Sequence, residues 1–120
     1  MGRSAANRSL LASVLVSAAD QAGDGVPCDN YSEMVVYMSV TAKAGTSPTV
    51  DFDIQTSHDN SAWHKHTSMT QLNDPTVTTT YRAPAETLSN LGKFVRIIST
   101  AVGGSSTPSL TCEAEATFKD

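Results

Sequence analysis

The chain of 120 residues has little charge, few aromatic side chains and no long apolar run. Only 17% of its residues are charged and 6% are aromatic, and the formal net charge is −4. An acidic chain without a concentrated basic patch is a poor match for nucleic acid as its main partner. No apolar run approaches the length that a membrane-spanning helix needs. We therefore expect neither nucleic acid nor a membrane as the partner.

Cysteine is also scarce, since Cys28 and Cys112 are the only two. They lie far apart, and no Cys-x-x-Cys or Cys/His spacing of the kind that binds zinc surrounds them. Two alternatives remain open for the pair: a single disulfide, or two buried thiols.

An export signal is a further feature that the sequence does not support. The stretch Ser9–Ala19 is fairly apolar and follows Arg8, but Ser13 and Ser17 interrupt it. A secretory signal needs an unbroken apolar segment before its cleavage site. We expect a protein that is made in the cytoplasm and carries no export signal.

Short stretches of alternating apolar and polar residues make up most of the chain. Glu33–Ala42 is the clearest, and the alternation returns before Gln55 and after Pro108. An alternation of period two indicates strands with one buried face. About seven or eight such strands joined by Gly-, Pro- and Asn-containing segments predict an all-β fold, an antiparallel β-sandwich or jelly-roll-like domain. The predicted core comprises Val36, Met38, Phe52, Ile54, Phe94, Ile98 and Leu110, and the inner face of the last strand comprises Leu110, Cys112, Ala114, Ala116 and Phe118.

The domain boundary follows from the same pattern. Residues 1–8, "MGRSAANR", show no periodicity and predict a flexible N-terminal arm. Residues 9–120 then form a single sandwich domain, because a chain of this length fits one core.

Two stretches share one arrangement: "GTSPTVDFDI" begins at Gly45, and "GGSSTPSLTCEA" begins at Gly103. Each has small residues and a proline followed by strict alternation. Proline is tolerated at a strand entry, where its missing N–H removes no sheet hydrogen bond. The echo predicts two similarly placed hairpins.

The titratable side chains do not form a catalytic pattern. His64 and His66 share one face of a predicted strand and could hold a metal, but no third ligand is near, so a solvated face is the simpler interpretation. Asp51 with Asp53, and Glu113 with Glu115, raise the possibility of paired acid and base, or of calcium if the two strands are neighbours. Both pairs alternate with core residues, which predicts solvated outer faces. His58 and the loop residues Asp24, Asp29 and Asp59 lack the spacing of a dedicated site. We expect no enzyme, no metal and no cofactor.

The aromatic residues leave two alternatives open. Trp63, with Tyr31, Tyr37 and Tyr81, could line a platform for a sugar ring. A lone tryptophan after an Asp-Asn-Ser turn is also typical of a residue that plugs the end of a hairpin. Trp63 is therefore the candidate residue of an alternative function, a carbohydrate-binding or adhesion module of a tail or fibre.

Two longer runs carry a family resemblance: "VTAKAGTSPTVDFDIQTSHDNSAWHKHTSMTQL" and "LGKFVRIISTAVGGSSTPSLTCEAEA". Their order of motifs resembles that of small β-sandwich virion proteins of tailed bacteriophages, over roughly residues 33–118. The resemblance implies a virion structural protein, most simply a capsid decoration or cement protein, and no catalytic residues. The "FVRI" segment also resembles discoidin-type carbohydrate-binding sandwiches.

The resemblance also implies a partner and a location. We expect the protein to dock on the lattice of the major capsid protein, or on other virion proteins, at the capsid surface. It is expected to do so as a homo-oligomer, with a trimer favoured, since repeated contacts compensate for a small area per copy. Arg3 and Arg8 on the N-terminal arm are the candidate partner-binding residues.

Overall fold

The computed structural model describes residues 5–28, 31, 33–69, 71–75, 79–82, 86–87 and 93–119. Within these ranges the structure is all-β and antiparallel, as predicted, and contains no helix, hence none that could span a membrane. The strands are β1 (Ala5–Val16), β2 (Val26–Pro27), β3 (Glu33–Ser57), β4 (His64–Ser68), β5 (Leu72–Asn73), β6 (Thr79–Arg82), β7 (Glu86–Thr87) and β8 (Phe94–Lys119).

Two long strands, β3 and β8, organise the sandwich. They pair antiparallel along their whole length, from Glu33 opposite Lys119 to Ser57 opposite Phe94. The first half of β3 and the last half of β8 form one sheet with β1, β6 and β7. The other halves form a second sheet with β2, β4 and β5. All eight strands belong to one continuous hydrogen-bonded sheet, and we call its two halves the first sheet and the second sheet.

The echoed stretches mark the place where both long strands pass from one sheet to the other. Thr46 lies opposite Ser105 and Thr49 opposite Gly103, so the two stretches are paired with each other. The prediction of two separate hairpins was wrong. Gly45 and Gly104 have positive φ values of 84° and 115°, and register shifts interrupt the pairing here. Bulges and left-handed residues bend continuous strands, which lets each strand serve two packed sheets.

The core lies between the two sheets, and most of the predicted core is confirmed. Side chains of both sheets form one apolar cluster. Phe52 is 2% exposed and Phe118 is fully buried. The confirmed core residues are Val36, Met38, Phe52, Ile54 and Leu110, and the whole predicted inner face of the last strand is buried. Ile98 is buried as predicted, but it lies outside the core cluster, on the same face of β8 as Phe94.

Phe94 is the exception, because it is only partly buried. Val95 and Ile97 are fully buried and point towards the core. Successive side chains of a strand point to opposite faces, so Phe94 belongs to the outer face of the second sheet. A strand that is apolar on both faces leaves this register undecided in the sequence.

Strand β1 begins before the predicted domain boundary. Ala6 pairs with Phe118 and Arg8 with Ala116, so residues 5–8 continue the first strand of the domain. The predicted N-terminal arm of residues 1–8 is therefore too long, because β1 begins at Ala5. Residues 1–4, including Arg3, lie outside the described residues.

Candidate functional site

The outer face of the second sheet carries two cations in one row, with Gln55 between them. Gln55 of β3 lies opposite Arg96 of β8 on one side and opposite Lys65 of β4 on the other. Neighbouring strands are about 4.8 Å apart, and side chains in one row point the same way. Lys65, Gln55 and Arg96 thus form one row across three strands, which we call the cationic row.

Arg96 is held in place from two sides. Its Nε donates a hydrogen bond of 2.8 Å to Oε1 of Gln55. Its guanidinium carbon lies 4.4 Å from the centroid of the Trp63 ring, a cation–π contact. Partial burial of the guanidinium lowers the pKa of Arg96 from its usual value, but an arginine keeps its charge at any physiological pH.

Trp63 reaches across the sheet because the loop between β3 and β4 folds over the outer face. A Cβ atom added to Gly25 would lie 2.9 Å from the Trp63 ring and closer still to the Asn60 amide. Any larger residue at position 25 would require the Asn60 amide and the Trp63 ring to shift. Trp63 is half-buried and is not a member of the core cluster, so the predicted core plug of a hairpin does not describe it. A sugar-binding role for Trp63 stays a prediction. Arg96 already occupies one face of the ring.

A tight turn fixes the loop that carries Trp63. Oδ1 of Asp59 accepts hydrogen bonds from the backbone N–H groups of Ser61 and Ala62, both at 2.9 Å, and from the Ser57 hydroxyl at 3.0 Å. The bonds from Ala62, Ser61 and Ser57 lower the pKa of Asp59 to about 2. The Asp59 carboxylate therefore stabilises the turn through these hydrogen bonds.

The cationic row is not neutralised within the described part of the chain. An ion pair found there joins Lys43 to Asp74, at 2.9 Å, and the His58 imidazole lies 3.6 Å from the Asp59 carboxylate. On the face of the cationic row, the Asp53 carboxylate accepts a hydrogen bond from the Ser68 hydroxyl at 2.8 Å. Asp51 accepts one from the Gln71 amide at 3.2 Å. Asp53 lies in the row next to the cationic row and Asp51 lies beyond it, so the acids of this face lie on one side of the two cations.

The two predicted carboxylate pairs lie on different sheets. Asp51 and Asp53 belong to the second sheet, opposite Ala101 and Ile98. Glu113 and Glu115 lie opposite Ser39 and Tyr37 in the first sheet and are exposed. The structure does not bring the pairs together, so the calcium site that required neighbouring strands has no basis in the pairing.

A groove lies beside Glu113 and Glu115 on the first sheet. Its volume is about 340 Å³, and its lining includes Tyr37, which is 37% exposed. Tyr31 instead contacts the core, with its ring centroid 5.4 Å from that of Phe118. Tyr81 of β6 pairs with Met38 in the first sheet, whereas Trp63 lies beside Arg96 of the second sheet. The predicted aromatic platform is therefore not assembled around Trp63.

The histidines and loop acids stay dispersed. His64 lies opposite Thr56 at the start of β4 and is exposed, and His66 is partly buried on the same strand. Among the described residues, no three side chains of His, Cys, Asp or Glu are grouped to hold a metal ion. Asp24 is exposed, and Asp29 lies outside the described residues.

Both cysteines are buried thiols, and no disulfide joins them. Of the two alternatives that the sequence left open, a disulfide or two buried thiols, the structure therefore shows two buried thiols. Burial raises the pKa of the Cys112 thiol to about 11, so this side chain is an unreactive part of the core.

Sequence reasoning missed Arg96, Gln55 and Lys65. Of the predicted partner-binding residues, Arg8 is exposed on β1, where its guanidinium donates to the carbonyl of Asn7 at 3.0 Å. Alternation provided a signal only for Gln55, which follows Val50, Phe52 and Ile54 on the polar face of its strand; the strand that carries Arg96 is apolar on both faces and provided none. The adjacency of the three residues depends on the strand order β8–β3–β4, which the sequence does not state.

Comparison with solved structures finds a similar fold in a prophage-derived protein. The crystal structure of the SPBc2 prophage-derived protein YomS is similar, with a TM-score of 0.59 and 10% sequence identity. The similarity covers 100% of this chain and 96% of that chain. No family model matches the sequence, and no curated protein matches it. At this identity the similarity shows a shared fold.

Proposed function

We propose that the protein is a structural component of a tailed-phage virion, and specifically a capsid decoration protein that docks on the lattice of the major capsid protein. The observation that carries the proposal is the similarity to a prophage-derived protein over 100% of this chain and 96% of the other. It agrees with the motif order that resembles phage virion proteins. In this proposal the protein is made in the host cytoplasm and ends at the capsid surface.

A binding role without catalysis is consistent with the site. The candidate acids lie on separate sheets or are committed to local hydrogen bonds. The cationic row instead offers fixed charge on an outer surface. Such a surface suits attachment to an acidic protein partner.

Attachment as an oligomer, with a trimer favoured, is part of the proposal. A standard interface takes about 800 Å² per partner, roughly one eighth of the 6319 Å² surface of one copy. In a single interface of this size, a few side chains supply most of the binding energy of one copy. Several linked copies hold the lattice with much higher avidity.

Co-sedimentation with capsids tests the proposal. Capsids of the encoding phage, purified from a deletion strain that lacks this gene, are mixed with increasing amounts of the purified protein. We expect saturable binding at a fixed ratio to the major capsid protein. Capsids that already carry the protein serve as the control and should bind no more. An absence of binding to the bare capsids would refute the proposal.

A further inference from the structure

We infer that the cationic row, together with Trp63, is the docking surface of this protein, and that it binds carboxylate side chains of an acidic protein surface. The inference rests on the proposed function only in naming that surface as part of the virion. The juxtaposition that carries it is an arginine fixed by Gln55 and Trp63, with Lys65 on the far side of Gln55 in the same row. Neither cation has a carboxylate partner in the described structure.

The geometry leaves the binding end of Arg96 available. Gln55 accepts from Nε, and Trp63 covers one face of the guanidinium. The Nη donors make no hydrogen bond to a described residue. Two parallel N–H groups of a guanidinium match the two oxygens of a carboxylate. Because Arg96 is already held in one orientation, little conformational entropy is lost when it binds.

Charge favours the same partner. The chain as a whole is acidic, with a net charge of −4, yet two cations lie in one row of the second sheet. The nearest acids on that face, Asp53 and Asp51, are bonded to Ser68 and Gln71, and Asp59 is bonded within its own turn. Unpaired cations on an acidic protein steer it towards a complementary negative surface.

The first test compares single substitutions in the capsid-binding assay. Arg96→Gln and Lys65→Gln each remove one cation from the row, and Arg8→Gln removes the competing candidate on β1. We expect Arg96→Gln to weaken binding about tenfold or more, as for the loss of a charged hydrogen bond. Arg96→Lys keeps the charge but not the two-pronged geometry and should bind with intermediate affinity. Added salt should weaken wild-type binding.

Circular dichroism and the thermal midpoint establish that each variant is folded. Lys65 is exposed, so its substitution reports on binding even if Arg96→Gln proves unstable. Equal binding by wild type, Arg96→Gln and Lys65→Gln would overturn the inference and leave the proposed function intact. A loss of binding in Arg8→Gln alone would also overturn it and place docking on β1.

A second test is independent of capsids and uses the fluorescence of Trp63, the single tryptophan of the chain. The probes are a peptide of eight glutamates and a peptide of eight glutamines. We expect the glutamate peptide to change the Trp63 emission at low salt, the glutamine peptide not to do so, and Arg96→Gln to abolish the response. If wild-type protein fails to bind capsids, the proposed function fails, and this titration alone decides the inference. An unchanged emission with the glutamate peptide would overturn it.

Discussion

Phe52 and Phe94 form a matched pair for testing the register of the sandwich. Both are phenylalanines on long strands, but Phe52 is 2% exposed in the core, and Phe94 is partly buried on the outer face. Phe52→Ala leaves a cavity that the packed sheets cannot close, at a cost of about 3–5 kcal/mol in the free energy of unfolding. A domain of this size has a total of about 5–15 kcal/mol. Phe94→Ala loses only part of its buried area and should cost about 1 kcal/mol.

Urea denaturation, followed by far-ultraviolet circular dichroism, measures the difference. With a denaturant slope of about 1.5 kcal/mol per molar, the unfolding midpoint should fall by roughly 2–3 M for Phe52→Ala and by less than about 1 M for Phe94→Ala. Equal losses, or a larger loss for Phe94→Ala, would contradict the register described here. A changed slope would mean that the comparison no longer measures stability alone.

Three further predictions concern the strand crossing, the Trp63 turn and the thiols. Gly104→Ala should be more destabilising than Gly103→Ala in the same denaturation assay. Gly104 has φ of 115°, and a Cβ there would contact the backbone carbonyls of Thr46 and Ser47, whereas a Cβ at Gly103 would meet only the Thr49 side chain. Equal losses of stability would contradict the bent-strand geometry. Asp59 has a folded pKa of about 2, below the ordinary 3.8, so its stabilising effect is present above pH 3.8 and is lost as the pH falls towards 2. The difference in thermal midpoint between wild type and Asp59→Ala should therefore shrink over that range. A constant difference would contradict a stabilising role for the ionised Asp59 carboxylate. Cys28 and Cys112 are buried, so a thiol reagent at pH 8 should label neither in the native protein and both after unfolding; rapid native labelling would show that the core is open.

The strands were predictable because one buried face gives a period of two, as in Met34 to Val40 and Leu110 to Phe118. The continuity of β3 and β8 across both sheets was not predictable from the sequence. Gly45, Pro48, Gly104 and Pro108 are the residues that end strands in most sequences, and the same residues can bend a strand that continues. Local sequence does not distinguish the two, since the outcome depends on whether the partner strand bends at the same place.

The candidate site was less predictable than the fold. Trp63 was recognised as unusual, but Arg96 is far from it in sequence and meets it only through the order of the strands and the folded loop. The tight fit of Gly25 beneath that ring likewise follows from tertiary packing.

The measurement that most directly tests the central proposal is the copy number of this protein in purified phage particles, determined by quantitative mass spectrometry against the major capsid protein. A decoration protein predicts a fixed ratio to the major capsid protein, with a copy number of the same order as the number of capsid subunits. A handful of copies per particle would place it at a vertex, neck or tail and contradict capsid decoration. Its absence from particles whose other structural proteins are all detected would contradict a virion role altogether.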